Sequence, residues 1–183
     1  MTDPKRCPIS SSTTVIGLGN ELLTDDGLGI VALRKLAERM PDTPVTFQEL
    51  SLGGLELLDH LVGFDRCIII DAMATGKMPP GTIVRFTQTP GCQPTPISSS
   101  HQIDLNQVLA LAQILRVQVP SAVAVYGIEA ADITTFRQGL TPAVEQSVQT
   151  LVDAICADLN GTDPLSAIEY GRWEILNVHE TED

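Results

Sequence analysis

No run of this chain approaches the roughly 18 consecutive apolar residues that a bilayer-spanning helix needs; the longest candidates are broken by charges, proline or glycine. Paired cysteines are also missing. The four present, Cys7, Cys67, Cys92 and Cys156, form no C-x-x-C unit, which excludes the usual structural zinc and thioredoxin-like motifs and leaves reduced, mostly buried thiols as the expectation. Basic residues are scarce: 11 Lys and Arg face 23 Asp and Glu, for a net charge of −12. Such a surface repels phosphate backbones and anionic lipid, so nucleic acid and membrane are excluded as partners, and a cation or a basic segment is favoured. The opening residues, "MTDPKRCPISSS", lack an apolar stretch behind Lys5 and Arg6, so the chain is expected to be cytoplasmic rather than secreted.

What is present is one domain's worth of alternating elements. At 183 residues and 43% hydrophobic content the chain can bury one sizeable core. Residues 1–12 read as a flexible N-terminal segment, 13–159 as a single α/β domain, and 160–183 as a docked or disordered tail. Strands are expected at "TTVIGLG", "VTFQEL", "RCIIIDA", "PPGTIVRF" and "SAVAVYGIE", because each is a short β-branched or apolar run bounded by turn residues. Between them, "IVALRKLAERM" sets Leu33, Leu36, Ala37 and Met40 on one helical face. "LELLDHLV" is a second helix entered through Gly53 and Gly54. A third opens at Asp104 as N-cap, with Leu105, Val108, Leu109 and Ala112 inward; the last starts at Thr141 and Pro142, with Val144, Val148, Leu151, Val152 and Ile155 inward. The order predicts a three-layer α/β fold, a mostly parallel twisted sheet of about five strands with helices on both faces. The fourth strand follows the third too closely for a crossover helix and is therefore expected to be antiparallel or at an edge.

In such sheets ligands bind outside the carboxyl ends of the strands. There the first strand runs into "GLGNELLTDDGLG", carrying Glu21, Asp25 and Asp26; the third runs into Asp71; and the irregular loop after the fourth, "TQTPGCQPTPISSS", delivers His101. A dinucleotide cradle would need glycine where Leu22 stands, and the carboxylates would repel an anion. Two or three carboxylates with one imidazole instead suit a divalent cation and leave a coordination position open. Asp25 or Asp26 has a plainer alternative role as a helix cap. His60, on a helix, and His179, in the tail, read as solvated. An aspartic-protease dyad needs a D-T/S-G context, which "DDG" and "DAM" do not supply.

Four ordered motifs, "GLGNELLTDDGLG", "DAMATGKMPPGTI", "SSSHQIDLNQVLALA" and "GLTPAVE", resemble those of the hydrogenase maturation endopeptidases, over about Thr14 to Leu159. The resemblance implies that family's phosphorylase/hydrolase-like fold. It also implies a hydrolase classed with aspartic-type endopeptidases, which activates hydrogenase by removing a short C-terminal extension from the large-subunit precursor of nickel–iron hydrogenase. The metal implied is nickel already carried by that precursor, with no organic cofactor, and the chain is expected to be a monomer. Asp26, Asp71 and His101 are the implied metal-contacting and catalytic residues, with Asp25 or Asp26 as candidate base. Asp26 stands where many relatives carry glutamate. "ELSLGGLELL" replaces the usual D-G-G-T-like box, which brings in Glu49, Gly53 and Gly54 as candidates for partner recognition. The competing readings are a non-catalytic nickel-recognition protein and a nucleotide- or flavin-binding module on the same fold.

Overall fold

The computed structural model describes residues 12–51, 54–88, 105–121, 123–161 and 173–176. The strands are β1 (Thr13–Leu18), β2 (Val45–Leu50), β3 (Arg66–Met73), β4 (Ile83–Gln88), β5 (Val123–Glu129) and β6 (Trp173–Ile175). The helices are α1 (Leu28–Arg39), α2 (Leu57–Leu61), α3 (Leu105–Leu115) and α4 (Pro142–Leu159). The sheet runs in the order β2-β1-β3-β5-β4-β6. β2, β1, β3 and β5 are mutually parallel, while β4 is antiparallel to β5 and to β6. The antiparallel member is thus β4, as its short connection requires, but it is not the sheet's edge. Three residues of the C-terminal tail pair with it as β6, giving a sixth strand.

Alternation along the strands divides the core in two. Val15, Ile68, Ile70 and Tyr126 face α1 and α4, where Leu33, Leu36, Val148, Leu151, Val152 and Ile155 meet them. Ile16, Leu18, Cys67, Ile69 and Val125 face α2 and α3, against Leu57, Leu61, Val108, Leu109 and Ala112. The inward positions expected for α3 and α4 are all buried. For α1 the stripe is rotated slightly: Leu33 and Leu36 are buried together with Ala32, while Ala37 and Met40 are half-buried.

Away from the carboxyl edge, the sheet and α4 are joined by a buried polar cluster. Asp158 accepts from Arg66 Nη2 at 2.7 Å, from Tyr126 OH at 3.0 Å and from Arg85 Nη2 at 3.3 Å. Three donors on one carboxylate offset the desolvation of a charge that would otherwise be costly inside a protein. His60 is not solvated as expected: it is half-buried, and its Nδ1 lies 2.8 Å from Gln48 Oε1. Cys67 is buried and Cys156 half-buried, both free. Burial pushes both thiols up from their ordinary range. No helix among the described residues is long and apolar enough to cross a membrane.

Candidate active site

The glycines at the end of β1 and the start of α1 are explained by close approach rather than by anion binding. A Cβ on Gly29, in the first turn of α1, would lie closer than 3.0 Å to the carbonyl oxygens of Leu18 and Ile70. One on Gly17 would meet Gly29's carbonyl oxygen, and one on Gly19 that of Asp26. The absence of side chains lets α1 sit directly on β1 and β3, and this draws the preceding turn onto the edge of the sheet. That turn is a 3-10 helix, Thr24–Gly27, and all four of its residues are buried. It packs beside the end of β3, the strand that carries Asp71.

Asp26 is 6% exposed, and its Oδ2 accepts the Asn20 N–H at 3.1 Å. Asp71 is 3% exposed and lies within β3 opposite Gly127, two residues short of the strand's end at Met73. It continues the Cys67–Ile69 alternation and so belongs to the sheet face that α2 and α3 cover. α3 begins just beyond His101 in sequence, but His101 itself, like Gly53, lies outside the described residues. Among the described residues no group of three or more His, Cys, Asp or Glu is gathered for a metal ion. Asp26 and Asp71 are therefore two buried oxygen donors on adjoining elements, a set that suits a divalent cation if an imidazole completes it.

Asp25, adjacent to Asp26, is engaged elsewhere. Fully buried, its Oδ2 accepts from Ala131 N at 2.9 Å, Asp132 N at 3.0 Å and Thr141 Oγ1 at 2.9 Å, and its Oδ1 from Thr141 N at 2.6 Å. It caps neither α1 nor its own turn; it ties the loop between β5 and α4 to the glycine turn. Thr141 is the N-cap of α4 as expected, yet its hydroxyl makes no cap bond to the helix and donates to Asp25 instead. Thr24 completes the junction, donating from N to Arg137 O and from Oγ1 to Thr135 O, each at 2.8 Å, in a left-handed conformation with φ 47°. The sequence pattern assigned no role to residues 130–138. The available signal was Asp132 followed by Thr134 and Thr135, a self-bonding turn whose hydrogen bonds hold the Asp132 carboxyl below its usual range.

Glu49 is clasped by Arg34, with Nε to Oε1 at 2.7 Å and Nη2 to Oε2 at 2.8 Å, while Arg34 Nη1 reaches Glu21 Oε1 at 2.8 Å. The guanidinium holds the Glu49 carboxyl below its ordinary range. Glu49 and Glu21 border an open cleft of about 470 Å³ beside the Asp26 turn. Gly54, the other described member of the candidate recognition box, opens a 3-10 turn, Gly54–Glu56, that leads into α2.

Known proteins share this chain's sequence pattern and fold. The model of the family "HycI: Hydrogenase maturation protease" matches residues 30–158, a span that takes in Asp71 and His101 and begins just after the Asp26 turn. The chain is 32% identical to the hydrogenase 2 maturation protease of Escherichia coli over 149 residues, 79% of this chain and 88% of that protein. It is 30% identical to the hydrogenase expression/formation protein HupD of Bradyrhizobium diazoefficiens over 146 residues, 78% of this chain and 74% of that one. Among solved structures, it is similar to the hydrogenase maturating endopeptidase HybD from E. coli, with a TM-score of 0.67 and 28% identity, over 82% of this chain and 93% of that one. It is also similar to the NiFe-hydrogenase maturation protease HybD from Thermococcus kodakarensis, with a TM-score of 0.59 and 29% identity, over 81% and 99% of the two chains.

Proposed function

Because the chain belongs to the hydrogenase maturation protease family, we propose that it removes a short C-terminal extension from the large-subunit precursor of a nickel–iron hydrogenase, reading the nickel in that precursor through Asp26, Asp71 and His101. The observation that carries the site is the pair of carboxylates, Asp26 and Asp71, buried on adjoining elements at the carboxyl edge of the sheet. Carboxylate oxygens are hard donors of the kind a divalent cation takes. The nickel is part of the substrate: its presence marks a precursor ready for cutting, and it supplies Lewis-acid polarisation to the step.

The chain's own residues orient that metal-bearing end and take a proton from the attacking water. Asp26 is the base in this reading. Asp25 is the positioning group beside it, because its two oxygens already accept four hydrogen bonds. The aspartic-type classification then describes the residue that handles the proton, not a dyad sharing one. The protein works as a monomer in the cytoplasm on a protein partner, with no nucleic acid, membrane or organic cofactor.

Incubation of a large-subunit precursor with the protein, with and without inserted nickel, tests this by intact mass. The expected result is loss of a C-terminal peptide from the nickel-loaded precursor only, abolished by Asp26→Ala, Asp71→Ala or His101→Ala in proteins whose circular dichroism is unchanged. Normal processing by any of the three removes that residue from the site. Binding of the loaded precursor without cleavage by wild type would replace the protease with a nickel-recognition role.

A further inference from the structure

The cleft beside Asp26 has walls of different origin. One comes from the glycine turn and α1, with Leu22 and Val31; another is Ser51, just past β2; the third is Gln138 to Leu140 of the loop between β5 and α4. Little apolar packing holds that loop, since residues 134–139 are all exposed. Asp25 and Thr24 fasten it through the hydrogen bonds described above, and the junction keeps a threonine in a conformation that β-branched residues avoid. A strained junction that fixes an otherwise exposed loop argues for a wall that must not move.

The same junction links the two backbone segments that carry exposed apolar residues, one of which, Leu22, lines the cleft. Leu23 and Arg137 form an isolated parallel bridge, which draws together the backbone on either side of it, and Phe136 stands two residues before Gln138, a lining residue of the cleft. Leu22 is 44% exposed and Phe136 76% exposed. Arg34 is shared between Glu21 and Glu49, leaving that rim with one net negative charge.

We propose that this cleft seats the extended C-terminal segment of the precursor polypeptide, with Leu22 and Phe136 gripping an aliphatic side chain and the loop 131–141 as the fixed wall. The inference rests on the proteolytic reading above and adds the surface that selects the substrate. The occupant follows from position and chemistry. A chain must lie extended to be cut, Gly27, the residue after Asp26, lines the cleft, Ser51 and Gln138 offer donors and acceptors to a peptide backbone, and the negative rim disfavours an acidic segment.

Two measurements test it. Phe136→Ser and Leu22→Ser, both at exposed positions, are expected to raise KM for the nickel-loaded precursor about 5- to 10-fold each, with kcat within about twofold, because each substitution removes apolar packing against the bound peptide. In parallel, a photoreactive benzoylphenylalanine in place of Gln138 is expected to cross-link to the C-terminal extension. The same group in place of Gln149, on the outer face of α4, is expected not to. Unchanged KM in both serine variants, or cross-links from position 138 only to other parts of the precursor, overturns the seat while leaving the protease standing. A loaded precursor that wild type leaves uncut overturns the protease reading, and the seat with it.

Discussion

Replacing Asp25 separates positioning from chemistry. Its carboxylate is fully buried and accepts four hydrogen bonds from three residues that sequence places more than a hundred positions away. Hydrogen bonds to a charged group contribute about 1.5–3 kcal/mol each, but they are not additive, and the amides of the exposed Ala131 and half-buried Asp132 regain water once released. Asp25→Ala should therefore destabilise by about 3–5 kcal/mol, a large share of the about 5–15 kcal/mol typical of a domain. Asp25→Asn keeps one oxygen. Placed where Oδ2 now takes three donors, that oxygen leaves the new NH2 facing the Thr141 N–H, for a cost of about 2 kcal/mol. Urea unfolding at neutral pH measures both, and limited proteolysis should cut the 131–141 loop first in the alanine variant. An alanine variant within about 1 kcal/mol of wild type would refute the anchoring argument. A fully stable asparagine variant that no longer processes precursor would assign Asp25 to proton transfer instead.

Gly29→Ala sets a Cβ against two backbone oxygens that cannot move aside, so it should cost more than about 3 kcal/mol and lower the melting temperature sharply. Gly139→Ala, with φ 92° and open space around the added carbon, should cost only about 1–2 kcal/mol. Arg34 depresses the Glu49 pKa below its ordinary 4.5, so the clasp's contribution is complete above about pH 4.5 and is lost as pH falls below it. Both side chains are more than a third exposed, so the stability gap between wild type and Glu49→Gln should be under about 1 kcal/mol at pH 7 and close in acid; a gap that widens in acid contradicts the assignment. Burial raises the Cys67 pKa, a contribution present below about pH 9.0 and lost as pH rises above it. A thiol reagent at pH 8 should reach Cys67 only after unfolding, and rapid labelling of the native protein at that residue would disprove its burial.

The elements of this fold are legible where periodicity and turn residues agree. β2 spans the expected Val45–Leu50, and α4 starts at the expected Pro142, because a β-branched run and a Thr-Pro start leave little alternative. Legibility falls where tertiary contact overrides local signal. Nothing local in "RWEILN" distinguishes a strand from a tail; Trp173–Ile175 becomes β6 because β4 offers an unpaired edge. The start of α1 moves back to Leu28, since Gly27 and Gly29, which by propensity argue against a helix, are tolerated for close packing on β1 and β3. The Asp158 cluster was invisible for the same reason: its partners, Arg66, Arg85 and Tyr126, come from three strands.

The paired aspartates show how far adjacency in sequence misleads about role. Composition treats Asp25 and Asp26 as interchangeable, two carboxylates of which either caps a helix or meets a cation. The 3-10 turn breaks that equivalence, because about three residues per turn swing consecutive side chains roughly 120° apart. One carboxylate is thereby aimed across the chain at Ala131, Asp132 and Thr141, and the other back at Asn20. A regular α-helix starting at Thr24 would turn neighbours by only about 100°. The tight turn also brings Gly27 against Glu21, where any added Cβ would stand closer than 3.0 Å to the Glu21 backbone. The turn, the glycines and the left-handed Thr24 are thus one device. It holds one carboxylate at the edge of the sheet and commits its neighbour to the loop that walls the adjacent cleft, so a change at Asp25 should be felt at both.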